Sequence, residues 1–459
     1  MTVTADDLIA EHAPGLLDAA ETDKEPAKRP GLLPEEFWAA RDVFGHIRRA
    51  AYAEARSGDV LFYTTLTRLA GMLDHRIKMR TGILGRGSMN FYTALVGASG
   101  AGKSSGASGA RELIPSNNPE FRDGLPLGSG EGVAEVFMGV VDEDTGEMRK
   151  GEPVTAKVRK QVRHNAFFYV DEGERLTQLN SRLGTVLAET LRSAAMGDTL
   201  GQTNASEDRT RYIAPGSYSL GLVIAYQPTT VTALLADGHT GSPQRFFWTW
   251  AEDPSIPFDA PEHPGPLALD PCVENAQRNL DIRFPASVQE LIRRERVLRG
   301  QGKIEVAELD GHHRFMTAKM AALLALLDGR FEVDETDWDL AEMAWQSSCA
   351  VRDSLVRRAK LESEAARERE QDQKVLLAVR AHGAKRGADL RLERIAIAVR
   401  RAVSKAGPGG LSFNGVKMAI ASRDRDALEE SIDVAVSRGW IYEDGERFCI
   451  ATEFENADA

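Results

Sequence analysis

The chain has 459 residues, a net charge of −12, 42% hydrophobic and 27% charged residues. At about 100–200 residues per domain this length predicts two to four domains, and the composition is that of a globular protein with a large core. The acidic balance argues against a generic coat for nucleic acid, because a polyanion needs a basic surface; a ring with a basic inner face and an acidic outside stays open.

No apolar run approaches the roughly 20 residues of a membrane helix, so no membrane partner is expected. The N-terminus lacks a basic start followed by an apolar stretch, so no secretory signal is expected either. Cys272, Cys349 and Cys449 are far apart and form no CxxC pair. That excludes the usual zinc and disulfide frameworks and fits a reducing, cytoplasmic location.

In chain order, residues 1–30 are rich in Asp, Glu, Ala and Pro without a firm apolar period and are expected to be a disordered tail. Residues 31–88 read as a helical N-terminal domain. Pro34 suits a first helical turn and Glu35 and Glu36 the positive end of the helix dipole, while Ser57-Gly58 breaks the pattern. Residues 89–265 alternate strand-like and helix-like segments. The strand candidates are Phe91–Val96, Ala166–Val170, Leu220–Ala225 and Phe246–Trp250. Continuous apolar strands of this kind belong to a parallel sheet covered on both faces. A proline-rich stretch (251–285) and helices follow, with 266–360 read as linker and helical lid. Residues 361–390 form a charged helical connector, and 391–459 a C-terminal domain ordered helix, helix, helix, strand, strand, as in a winged helix.

Within the core, Gly97-Ala98-Ser99-Gly100-Ala101-Gly102-Lys103-Ser104 matches G-x-x-x-x-G-K-[ST] in full, and Ser105 continues into a helix. The glycines let backbone N–H groups wrap phosphates. Lys103 supplies a point charge, and Ser104 offers a hydroxyl to Mg²⁺ at a helix N-terminus that favours anions. Further on, "AFFYVDE" ends an apolar strand in Asp171-Glu172. Asp171 suits the Mg²⁺ shell and Glu172 the activation of an attacking water. "SLGLVIAYQP" ends another strand in Gln227, which reads either as a sensor of the terminal phosphate or as a plain strand-end amide. "GSPQRFFWTW" places Arg245 before a strand, either as a finger reaching a neighbouring subunit's phosphate or as a surface arginine. These residues imply ATP and Mg²⁺ as cofactors.

"GASGAGKS", "FFYVDE", "LVIAYQP" and "PQRFFW", in this order, resemble the P-loop ATPase of phage, plasmid and integrative-element primase–helicases of the actinobacterial type. "LPEEFWAARDVFGHIRRAA" and "DETDWDLAEMA" are also like that group, so the resemblance covers about residues 31–355. It implies an α/β P-loop NTPase core, AAA+ or RecA-like. Residues 185–214 look like the helix and β-hairpin that precede the sensor strand in ring helicases of the minichromosome maintenance type. That likeness implies a helix at 185–196 and a hairpin at 198–214 with Arg209 and Arg211 facing DNA. Gln227 stands where those helicases carry an asparagine, and Gln244-Arg245-Phe246 is similar to their finger. A lid arginine or lysine is implied too, with Arg314 and Lys319 as candidates. In RecA-like ATPases the catalytic glutamate lies earlier, where this chain has Glu131; Glu172 is preferred because it ends a well-formed strand.

Residues 374–425 hold twelve Lys or Arg against three Asp or Glu, a local basic excess that fits DNA. The third helix of the C-terminal domain instead carries Asp424, Asp426, Glu429, Glu430 and Asp433, which repel phosphate. DNA contact through Lys417, Arg423 and Arg425, and protein contact, both stay open. The leading expectation is an ATP-dependent DNA helicase or translocase of a mobile element. It would act as a ring homo-oligomer, a hexamer, on single-stranded or forked DNA with primase or replication partners. The alternative is a nucleotide-gated replication initiator or loader that binds DNA without unwinding it. A small-molecule kinase fits less well, since it gives no reason for a winged helix.

Overall fold

The structure is a computed structural model and describes residues 29–83, 85–149, 152–171, 173, 186–202, 210–231, 234–235 and 241–451. Two compact units meet in sequence between Lys360 and Leu361.

The first unit opens with helices α1 (Glu35–Ala39), α2 (Asp42–Ala53) and α3 (Gly58–Met72). Pro34 caps α1, and Glu35 and Glu36 fill its first turn. Ser57 caps α3, its hydroxyl accepting from the amide of Val60 at 3.4 Å. Every residue of α3 is buried. A short strand β1 (Ile77–Arg80) leads to β2 (Phe91–Val96), helix α4 (Ser105–Leu113), β3 (Arg122–Leu125) and helix α5 (Gly130–Glu135). A long antiparallel hairpin follows, β4 (Met138–Arg149) and β5 (Glu152–Gln161), then β6 (Asn165–Val170). Helix α6 (Val186–Met196), the short antiparallel pair β7 (Leu200–Gln202) and β8 (Arg211–Ile213), β9 (Ser219–Tyr226) and β10 (Phe247–Trp250) complete the core.

Five of these strands form one parallel sheet in the order β10-β2-β9-β6-β3, so the core is α/β. All six residues of β2 and all eight of β9 are buried. Period-two alternation divides their side chains between two hydrophobic clusters. Phe91 and Phe247 join Phe62 and Leu66 of α3 on one face, and Tyr92, Ala94, Leu222 and Trp248 join Leu187 and Leu191 of α6 on the other. Each of the Phe and Leu side chains among them contributes about 1.5–3 kcal/mol when fully buried. Gly221 lets α3 descend onto the sheet: a methyl group there would lie 2.0 Å from the carbonyl oxygen of Thr67.

The N-terminal helices, expected as a domain of their own, share this core with the sheet. The proline-rich stretch is likewise packed rather than a free tether. Leu267 donates its amide to Leu113, Asp74 donates to Val273, and the stretch ends in β11 (Leu280–Arg283), which pairs in parallel with β1. Helix α7 (Ala286–Gly300) lies outside, whereas α8 (His313–Leu327) is buried from Met316 to Leu327. Helix α9 (Glu335–Ala406) runs on without a break where separate helices and a connector were expected. No proline occurs between Glu335 and Pro408, and the helix ends at Gly407-Pro408, where Gly407 has a φ of 72°.

In the second unit, β12 (Leu411–Ser412), α10 (Phe413–Ala419), α11 (Leu428–Ser437), β13 (Ile441–Asp444) and β14 (Arg447–Ile450) follow the end of α9. The strands form an antiparallel sheet in the order β12-β14-β13. A small core of Ile395, Val399, Val403, Val416, Ile432 and Phe448 holds this unit together. The tail at 1–28 lies outside the described residues. All three cysteines are unpaired. Among the described residues no helix is long and apolar enough to cross a membrane.

Candidate functional site

In a parallel sheet the strand ends of one polarity point to one edge, and polar residues that follow buried strands collect there. At the C-terminal ends of β2, β6 and β9 they form one cavity of about 270 Å³. It is lined by Ser99, Gly100, Gly102, Lys103, Ser104, Asp171, Gly173, Gln227 and Thr230, with Ala225 beside them. The four residues singled out from separate stretches of sequence, Lys103, Ser104, Asp171 and Gln227, are therefore brought together.

The loop Gly97–Ser104 joins β2 to α4. Gly100 and Gly102 have φ of 80° and 77°, values that residues with a Cβ adopt at a cost. Ala98 and Ala101 belong to the same loop, closed by an Ala101 amide to Ala98 carbonyl bond of 3.3 Å. The Ser105 hydroxyl donates to the carbonyl of Gly102 at 2.6 Å. The Lys103 ammonium donates to the carbonyls of Gly97 at 2.8 Å and Ala98 at 2.5 Å. Burial lowers its pKa from the ordinary lysine value, opposed by the charges of Glu252 and Asp171. The hydroxyl of Ser104 donates to the Asp171 carboxylate at 2.8 Å.

Two contacts around the loop were not singled out in the sequence. The Tyr169 hydroxyl donates to the carbonyl of Lys103 at 2.6 Å, and the amide of Ala98 donates to the Glu252 carboxylate at 3.1 Å. Glu252 lies just beyond the apolar strand "FWTW", the same signal that marked Asp171 and Gln227. Thr230 reaches the cavity through the turn that begins at Gln227, whose carbonyl accepts from the Thr230 hydroxyl at 3.2 Å.

Other expectations are placed elsewhere. Glu172 and Arg209 lie outside the described residues. Glu131 sits on α5 away from the cavity, where its carboxylate accepts from Gln202 at 3.1 Å and pairs with Arg211 at 3.3 Å. Arg211 also pairs with Glu135 at 2.7 Å, so its charge is engaged by two glutamates instead of being held free for DNA. Lys319 lies in the core, its ammonium donating to the carbonyls of Asn90 at 2.6 Å and Ala195 at 2.5 Å. Burial pushes it well below the usual lysine range. Arg314 pairs with Glu295 and Glu342.

Arg245 closes the 3₁₀ turn Pro243–Arg245 ahead of β10. Pairing of Phe247 with Thr93 sets it level with Phe91, at the N-terminal end of β2. About six residues at about 3.3 Å each, roughly 20 Å of strand, separate it from the Gly97 end. It cannot reach the cavity of its own chain.

In the second unit Lys417 and Arg423 are exposed, and Arg423 stands 3.8 Å from Asp424. Arg425 is half-buried and donates to the carbonyl of Ile420 at 3.3 Å. Asp424 is buried beside Arg394, at 2.8 Å, and α11 exposes Glu429, Glu430 and Asp433. No known protein family's sequence model matches the chain, and no curated protein matches it significantly.

Proposed function

We propose that the chain is a P-loop ATPase of AAA+ type whose hydrolysis drives movement on DNA, as a helicase or translocase assembled in a ring. The observation that carries this reading is the convergence of Lys103, Ser104, Asp171 and Gln227 on one cavity, with the Ser104 hydroxyl 2.8 Å from Asp171. The donor set fits a magnesium nucleotide: loop amides and an ammonium for the phosphates, a hydroxyl and a carboxylate for the cation. When bound, ATP supplies the phosphoryl group and Mg²⁺ neutralises charge on it. The chain's own residues do the rest. Gly100 and Gly102 open the loop, Lys103 turns from its loop carbonyls toward the phosphates, and Gln227 orients the attacking water or reports the terminal phosphate.

The sheet order supports the AAA+ choice over a simple kinase. The acidic strand β6 is not beside β2, since β9, which carries Gln227, lies between them. Arg245, about 20 Å along the strands from its own loop, fits an arginine that acts on the nucleotide of a neighbouring copy. An arginine with that role needs an oligomer, which we read as a ring with a hexamer the expected form. The second unit has the strand and helix order of a winged helix, with Lys417 and Arg423 as its exposed cations for DNA.

ATP turnover with and without single-stranded DNA, followed by unwinding of a forked duplex, tests the reading. Strong stimulation with strand separation is expected. Slow, unstimulated turnover with sequence-selective duplex binding would favour an initiator or loader instead.

A further inference from the structure

In the second unit a groove of about 790 Å³ runs between the last turns of α9 and the stretch 419–424. Ile397, Ala398, Ala402 and Ile420 give it an apolar floor, and Arg401 and Lys405 stand beside them, one helical turn apart on α9. Both cations are exposed, and neither forms an ion pair among the described residues. The two carboxylates that line the groove are already taken: Glu393 pairs with Arg438 at 2.9 Å and Asp424 with Arg394 at 2.8 Å. The groove therefore keeps a surplus of positive charge over an apolar floor.

Helix α11 of the same unit carries the opposite pattern. Glu429, Glu430, Asp433 and Val436 recur at the three- and four-residue spacing of one helix face, and all four are exposed. None of the three carboxylates forms an ion pair among the described residues. Glu429 and Glu430 suit the positive end of the helix dipole in the first turn, but Asp433 lies beyond that turn, where the dipole gives no reason for it. An acidic face repels the phosphates of DNA, and an apolar floor offers a phosphate backbone nothing. A protein surface satisfies both. Single exposed ion pairs contribute little, whereas several that close together over apolar contact set affinity and register. One unit leaves both sets of charges unpaired, and a second copy supplies the complement of each.

We propose that the Glu429–Asp433 face of α11 in one copy docks in the groove beside Arg401 and Lys405 of a neighbouring copy. The two patches share no residue, so the contact runs head to tail. Such a contact repeats from copy to copy and closes into a ring where the rotation allows it. It gives the second unit its own part in assembly, and it needs no nucleotide.

The test uses the full-length chain without nucleotide, its self-association followed by sedimentation over a range of protein and salt concentrations. Reversing the groove (Arg401→Glu with Lys405→Glu) and reversing the helix (Glu429→Lys with Asp433→Lys) are each expected to raise the dissociation constant at least about tenfold, and wild-type association is expected to weaken with salt. In an equal mixture of the two variants, every contact between unlike chains again pairs opposite charges, so association is expected to return. All four substitutions in one chain should restore it as well, and a merely misfolded variant regains nothing from either. The proposal falls if both reversals associate as the wild type does, or if they weaken association and neither the mixture nor the combined chain recovers it. It falls too if the groove reversal leaves association intact and instead lowers retention of a DNA duplex, which would make the groove a nucleic-acid surface. None of these outcomes involves ATP, so the nucleotide reading of the first unit stands or fails separately.

Discussion

The Ser104 hydroxyl and the Asp171 carboxylate stand 2.8 Å apart although 67 residues separate them. One opens the helix after β2, the other ends β6, and β9 runs between the two strands. A hydroxyl and a carboxylate held so close at one edge of the sheet form the donor pair that a small, hard cation such as Mg²⁺ takes. Asp171→Asn keeps a hydrogen-bonding group of the same shape and removes the charge. It should raise the Mg²⁺ concentration needed for half-maximal turnover and lower turnover by about 100- to 1000-fold, on the scale of losing one preorganised electrostatic partner. A Mg²⁺ titration of ATPase rate measures both.

Gln227 faces the same cavity from β9. An amide that orients water or senses the terminal phosphate matters to the chemical step more than to binding. Gln227→Ala should therefore lower kcat by at least about tenfold with KM for ATP nearly unchanged, read from steady-state kinetics over a range of ATP.

Much of this site is legible in the sequence because one physical signal repeats. A continuous apolar strand buried on both faces must end at an edge, and the first polar residues beyond it reach solvent together with those of neighbouring strands. "ALVGASGAGKS", "FFYVDE" and "LVIAYQP" each carry that signal, and the structure gathers all three. Glu252 after "FWTW" carries it too. The hairpin of β4 and β5 carries no such signal: its strands mix charged and apolar residues without a continuous apolar run, and Val140 is 64% exposed and Met148 69%, so burial does not mark it. Nor does composition separate the helices at 35–72 from the core. Their apolar face looks like that of an independent bundle, and only the sheet's own exposed face shows where it is spent. The glycines at 383 and 387 within α9 suggest a break, but a glycine costs about 1 kcal/mol in a helix and does not end one.

Asp59 makes stability depend on pH. Its carboxyl is buried, with Oδ2 accepting from the amide of Leu33 at 3.0 Å and from the Thr249 hydroxyl at 3.4 Å. Burial raises its pKa from 3.8 to about 8. The folded chain thus holds a proton that the unfolded chain releases above pH 3.8. The stabilisation is fully present below about pH 4 and is lost as pH rises toward 8, with a slope of at most about 1.4 kcal/mol per pH unit. Asp59→Asn cannot titrate. The midpoint of thermal unfolding of the wild type should fall relative to that of the variant between pH 5 and pH 8, measured in parallel at each pH.

Gly221 sets how near α3 lies to the sheet. A methyl group placed there would meet the backbone carbonyl of Thr67 at 2.0 Å, a contact that no side-chain rotation relieves. Gly221→Ala must push helix and strand apart and should destabilise the protein by about 1–3 kcal/mol, seen as a lowered unfolding midpoint. Gly85→Ala, where an added methyl group meets nothing within 4 Å, is the control.

The binding of a fluorescent ATP analogue with Mg²⁺, by the wild type and by Lys103→Ala of confirmed fold, tests the central claim most directly. Saturable binding displaced by ATP, dependent on Mg²⁺ and weakened at least tenfold by Lys103→Ala, is the predicted result. Absent binding, or binding that is indifferent to both Mg²⁺ and Lys103, would contradict the assignment of this cavity to a nucleoside triphosphate.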